Sequence, residues 1–206
     1  MNTQLDDRFD NALLYARRHH AAQRRKGTEI PYFAHLMAVS SLVLEMDGDE
    51  DEAIAALLHD VVEDGGGEPA IAEIREQFGA DVLAMVLANS DTIVEPKPPW
   101  QARKEAYIAG ISTKSAGALR VSLADKLHNA RAILLDYRTI GEEVWLRFKA
   151  REGGPVRWYY RSLCEAFEAR ADTLGKAALP VLGELRRTVD ELDRLAEAAK
   201  PSGRVD

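Results

Sequence analysis

Ala55-Ala56-Leu57-Leu58-His59-Asp60-Val61-Val62-Glu63-Asp64 carries a strongly apolar run straight into four polar groups. On a helix, His59 and Glu63 stand four residues apart, Asp60 and Glu63 three, and Asp60 and Asp64 four, so neighbouring turns project them to one side. Asp47-Gly48-Asp49 and Gly65-Gly66-Gly67 bound the segment with residues that favour turns. The stretch therefore predicts a buried helix that delivers chemistry at its end.

Outward from this segment the same spacing recurs, at Leu5, Phe9, Leu13 and Ala16, at Leu36, Val39, Leu42 and Val43, and at Leu119, Leu123, Leu127 and Ala130. Strand-like alternation is nearly absent. Breakers at Gly27 to Pro31, Pro96-Lys97-Pro98-Pro99 and Gly153-Gly154-Pro155 divide the pattern, and Phe78-Gly79-Ala80-Asp81 reads as a helix stop and restart. Helices are predicted at about 4–24, 34–46, 50–63, 69–78, 80–90, 100–113, 115–136, 139–150, 155–174 and 176–199. The fold class is all-α, with one domain over 1–199 and a flexible tail over 200–206.

Composition bounds the setting. With 206 residues, 46% hydrophobic and 30% charged, the chain has the balance of a globular domain and not of a disordered one. The lone Cys164 excludes an intrachain disulfide, and the first residues lack the basic and apolar parts of a secretion signal, so a cytoplasmic setting is expected. No apolar run approaches the ~20 residues that cross a bilayer. A formal net charge of -7 argues against a nucleic-acid partner, while Arg24-Arg25-Lys26 offers a local cluster for a small phosphorylated ligand.

His35, in Pro31-Tyr32-Phe33-Ala34-His35, and Asp125, in Val121-Ser122-Leu123-Ala124-Asp125-Lys126-Leu127-His128-Asn129, interrupt two further apolar helices. A divalent metal would explain why two histidines and two acids, His35, His59, Asp60 and Asp125, are gathered from three apolar helices, because an unpaired buried polar group costs several kcal/mol. Imidazole and carboxylate ligation suits Mn²⁺ or Fe²⁺, among other divalent ions. The competing reading makes His59 and Asp60 a satisfied buried pair or helix cap, with Glu63 and Asp64 merely solvated. His19, His20 and His128 read as surface or packing residues.

The ordered set His35, His59-Asp60, Asp125 resembles the HD-domain phosphohydrolases. With Arg24-Arg25-Lys26, Leu57 to Asp64 and Leu123 to Arg131 it is similar to the hydrolase domain of RelA/SpoT-type alarmone enzymes and the stand-alone small alarmone hydrolases, over about residues 5–175. The resemblance implies an HD-domain helical bundle that removes the 3′-pyrophosphate from guanosine tetra- or pentaphosphate with Mn²⁺. It implies His35, His59, Asp60 and Asp125 as metal ligands, Glu63 and Asp64 as the acids that handle water, and Arg25, Lys26 and Asn129 as substrate contacts. A chain of this length is expected to be a hydrolase without a synthetase domain.

Three places depart from the family's pattern. Leu36 stands where proline is usual, Ser122 where a basic residue is usual, and the segment Asp91 to Lys104 differs from the expected substrate loop. Two other functions therefore remain open: a phosphatase acting on another nucleotide or on NADPH, and a non-catalytic nucleotide-binding module. The aromatic and basic segment Trp145 to Tyr160 is read either as a nucleotide grip or, preferably, as a helix hairpin packed into the core. The sequence leaves the oligomeric state open.

Overall fold

The computed structural model describes residues 3–90 and 96–199; Asp91 to Glu95, part of the departing segment, and the expected tail from Lys200 to Asp206 lie outside the described residues. The described chain forms α1 (Asp7–His19), α2 (Phe33–Glu45), α3 (Glu50–Leu58), α4 (Gly67–Phe78), α5 (Ala80–Asn89), α6 (Trp100–Gly110), α7 (Ala116–Ile140), α8 (Gly153–Glu168), α9 (Ala171–Leu174) and α10 (Leu179–Ala198). There is no strand among the described residues, only an isolated bridge between Arg24 and Pro31. The all-α expectation holds.

Asp49 starts α3 by accepting a hydrogen bond from the Glu52 backbone N–H at 2.9 Å, which satisfies one of the donors a helix start leaves open. From Ala53 to Leu58 every residue is fully buried, because α1, α2, α5 and α7 surround the helix. Burying a leucine such as Leu57 or Leu58 contributes about 2 kcal/mol. The apolar run seen in the sequence is thus the centre of the core, and its polar end lies against His35 of α2 and Asp125 of α7.

Ser115 caps α7 by accepting from Ala118 N–H, and Gly141, at φ +59°, stops it. At 25 residues, α7 runs roughly 37 Å at 1.5 Å per residue and packs on α2, α3, α5, α8 and α10. Its approach to α3 is close: a Cβ on Gly117 would meet Met85 Sδ at 2.6 Å and Glu52 Cγ at 2.9 Å. Arg120 of α7 donates to both Glu52 carboxylate oxygens, through Nε at 2.7 Å and through Nη2. This buried pair joins the two helices that supply most of the site.

Several boundaries differ from the sequence reading. The first helix ends at His19 and not near residue 24, because residues 20–32 turn back on themselves, with Arg25 N–H donating to Ile30 O and Tyr32 N–H to Gln23 O. Arg25 and Lys26 therefore sit on a loop and not on a helix end. The predicted helix 50–63 loses its regular bonding after Leu58: the backbone stays right-handed at His59 and Val61, then enters a π turn over Val62–Gly66. A 3-10 stretch, Gly141–Arg147, replaces the predicted helix 139–150, and the helix predicted over 155–174 breaks between α8 and α9.

Candidate metal and phosphate site

His35 projects from the first turn of α2 and is fully buried. Its Nε2 lies 3.2 Å from Asp125 Oδ1 and 3.9 Å from Asp60 Oδ2. His59, just past the end of α3, donates through Nδ1 to Ala56 O at 2.8 Å, which turns its Nε2 inward, 3.0 Å from Asp60 Oδ2 and 3.7 Å from Asp125 Oδ1. Ligand atoms of His35, His59 and Asp125 all lie within 4.8 Å of one another. Asp60 reaches the same point and also accepts from the Tyr32 hydroxyl. The four residues are brought together from three separate segments.

The two inward Nε2 atoms are buried and make no hydrogen bond. Buried polar atoms are nearly always satisfied, so two orphaned imidazole nitrogens facing two carboxylates need a partner of another kind. A divalent cation fits this donor set, since it takes imidazole nitrogen and carboxylate oxygen together.

Burial opposes charge throughout, and the pairings decide the outcome. Burial pulls His59 down, yet the Asp60 and Asp125 carboxylates hold it well above the ordinary imidazole range. For His35 burial wins, and its pKa is lowered despite Asp125. Burial would raise both acids, but His59 keeps Asp60, and Lys126 with the two histidines keeps Asp125, below the usual carboxylate range. Both carboxylates are thus held ionised with the His59 proton as a partner, and a divalent ion bound here would take that proton's place.

Glu63 stands on the π turn, where burial and the nearby Asp60 raise its pKa and Lys97 Nζ donates to it at 3.3 Å. Asp64 is more exposed and accepts from Gln23 Nε2 at 2.7 Å. Arg25 Nη2 donates to Asn129 Oδ1 at 2.6 Å, and Asn129 Nδ2 donates to Asp125 Oδ1 at 2.5 Å. Lys26 lies to one side, its Nζ 5.4 Å from the centre of the Phe148 ring. Glu63 and the Arg25–Asn129 pair adjoin the donor cluster, whereas Asp64 is exposed and Lys26 faces the Phe148 ring.

Sequence reading gave no role to several residues here. Tyr32 binds Asp60, Lys126 Nζ binds Asp125 Oδ2 at 2.6 Å, and His128 Nδ1 lies 2.8 Å from His35 Nδ1. Their signal was helical proximity: Tyr32 precedes His35 by three residues, and His128 follows Asp125 by three. His128 is held near pKa 4 by burial, His35 and Arg25. Ser122 is buried, 2.6 Å from the Tyr107 hydroxyl, and Lys114 Nζ approaches it at 3.4 Å while donating to Asn89 Oδ1 at 2.8 Å. An ammonium thus reaches this place from Lys114, although residue 122 itself is serine.

His20 is buried, with Nδ1 at 2.5 Å from Gln23 Oε1, and His19 stacks on Tyr15; neither joins the donor cluster. In the segment Trp145 to Tyr160, the rings of Trp145, Tyr159 and Tyr160 are buried, which supports the hairpin reading. From this segment, Phe148 meets Lys26, one of the residues assigned to substrate. No helix among the described residues is long and apolar enough to cross a membrane.

Comparison with known proteins identifies the family of the chain. A family profile described as HD domain matches residues 12–153. The chain is 36% identical over 143 residues to the guanosine-3′,5′-bis(diphosphate) 3′-pyrophosphohydrolase MESH1 of Drosophila melanogaster, covering 68% of this chain and 76% of that protein. For the Homo sapiens protein of the same name the identity is 35%, covering 67% and 74%. Among solved structures, a Listeria monocytogenes protein superposes with a TM-score of 0.67 at 26% identity, covering 78% of this chain and 99% of that one. A metazoan ortholog of SpoT, described as hydrolyzing ppGpp, gives 0.59 at 29% identity, covering 82% and 98%.

Proposed function

The chain belongs to the HD-domain family, and from that premise we propose that it is a metal-dependent phosphohydrolase releasing pyrophosphate from the 3′ position of guanosine tetra- or pentaphosphate. The observation that carries this reading is the convergence of His35 and His59 Nε2 on the Asp60 and Asp125 carboxylates, with the Arg25–Asn129 pair attached to Asp125. A metal-ligating cluster with a guanidinium held one side chain away is suited to a phosphate ester. The relatives' names supply the guanosine alarmone as substrate.

In this reading His35, His59, Asp60 and Asp125 hold the ion, with Mn²⁺ preferred and Fe²⁺ or another divalent ion accepted by the same donors. Such a cation supplies Lewis acidity toward a phosphoryl oxygen and acidifies water. Glu63, its pKa raised by burial and Asp60, orients the attacking water and takes its proton. Asp64, held by Gln23, assists from the margin. Arg25, Lys26 and Asn129 bind the nucleotide, and the two cations offset phosphate charge.

Release of intact pyrophosphate places the attack at the inner phosphorus of the 3′-diphosphate. Its bond to O3′ breaks, and the new 3′-hydroxyl takes up a proton. The setting is cytoplasmic and the partner a free nucleotide. The test is incubation of Mn²⁺-loaded protein with guanosine tetraphosphate, other nucleotides and NADPH, with products identified by mass. Pyrophosphate and guanosine 5′-diphosphate are expected; orthophosphate, or cleavage of NADPH alone, would replace the alarmone by another substrate.

A further inference from the structure

Both metal-facing histidines must solve one problem. An imidazole presents a lone pair at Nε2 only when its proton sits on Nδ1, so something must accept at Nδ1 and hold the ring plane. His59 uses its own helix, donating to Ala56 O at 2.8 Å. His35 lies at the start of α2, and its Nδ1 meets a side chain from another helix: His128 Nδ1 on α7, at 2.8 Å.

The two rings lie with centroids 4.8 Å apart and planes tilted by 44°, so edge-on hydrogen bonding and not parallel stacking relates them. His128 is three residues beyond Asp125 on the same helix, so α7 offers Asp125 to Nε2 of His35 and His128 to its Nδ1. One helix thus faces both nitrogens of His35, bonding at Nδ1 and leaving Nε2 without a hydrogen bond, across 93 positions of sequence.

We propose that His128 is a positioning residue for the metal site: its Nδ1 accepts the Nδ1–H of His35 and thereby keeps the His35 Nε2 lone pair turned toward Asp60 and Asp125. The proposal rests on the reading of His35 as a metal ligand. His128 touches neither the ion nor the substrate in this role; it fixes the tautomer and the rotation of a residue that does. Loss of such a supporting contact typically weakens metal affinity about 10–100-fold.

The experiment is calorimetric titration of metal-free protein with Mn²⁺ at pH 8, for wild type, His128→Phe and His128→Asn. Phenylalanine keeps the ring and removes the acceptor, and should weaken Mn²⁺ binding at least about tenfold. Asparagine places an amide oxygen near the position of Nδ1, and should bind within about threefold of wild type. Far-UV circular dichroism accompanies each titration, and His128→Ala replaces the phenylalanine variant if that chain does not fold. Wild-type affinity in the variant without an acceptor, or equal weakening in both variants, would overturn the role assigned to His128. Absence of Mn²⁺ binding by the wild type would overturn the metal reading itself, and the proposal with it.

Discussion

Arg25 Nη2 donates to Asn129 Oδ1 at 2.6 Å, and the same amide donates to Asp125 Oδ1 at 2.5 Å, so a loop guanidinium is linked through one side chain to the metal cluster. Arg25→Ala and Asn129→Ala should therefore differ. With Arg25 as the proposed phosphate contact, made equally in the ground and transition states, Arg25→Ala should raise KM about tenfold or more with kcat little changed. Asn129→Ala frees the Asp125 carboxylate as well, and should also lower kcat and Mn²⁺ affinity. Steady-state kinetics at saturating Mn²⁺ separate the two; identical effects would break the linkage.

Asp125→Ala should abolish stoichiometric metal binding while far-UV helicity is largely retained. Asp125 meets both inward Nε2 atoms, at 3.2 and 3.7 Å, so its loss removes the group common to both histidines. The core of α7 around Leu123 and Leu127 stays apolar and buried. Elemental analysis decides: unchanged metal content would remove Asp125 from the ligand set.

Glu63→Gln should keep the metal and lose turnover by about 10²–10⁴-fold, the usual worth of a positioned general base. The amide preserves shape and can still meet Lys97, but it cannot take a proton. Asp64→Asn should cost less, because Asp64 is exposed and already engaged by Gln23. Single-turnover rates at saturating Mn²⁺ check the ranking, and equal losses would place both acids on the water.

The helical class and the clustering of His35, His59, Asp60 and Asp125 could be read from the sequence because buried helices expose their chemistry as polar interruptions of apolar spacing. The end of α3 could not. Periodicity carries through Val61 and Val62 while the bonding shifts to a π turn, since φ and ψ barely change until Asp64 and Gly65. The position of Arg25 was equally hidden: chain reversal over residues 20–32 depends on backbone bonds such as Arg25 N–H to Ile30 O, which leave no apolar rhythm. His128 was visible only as a residue, because its partner lies 93 positions away.

Glu52→Ala should destabilise the fold by about 3 kcal/mol or more. Glu52 is buried and paired with Arg120 through both oxygens, and breaking one side of a buried ion pair leaves the other charge uncompensated. Glu52→Ala with Arg120→Met should recover part of the loss, since two apolar groups need no pairing. Urea denaturation measures this, and additive losses in the double variant would argue against a coupled pair.

Lys104 supplies a test in pH. Burial, then Lys126 and Arg103, lower its pKa to about 8, outweighing the favourable charge of Glu63. An unfolded lysine titrates near its ordinary value, about 10.4. Between those values the unfolded chain binds more protons than the folded one, so this residue makes stability rise with pH across that window. Below pH 8 both states are charged and the full penalty applies. Lys104→Met should therefore be more stable than wild type at pH 7, with the advantage shrinking as pH climbs from 8 toward 10. Urea denaturation curves across that pH range measure the effect. If the Lys104→Met advantage is constant over pH 7 to 10, the ammonium is not held in an unfavourable place.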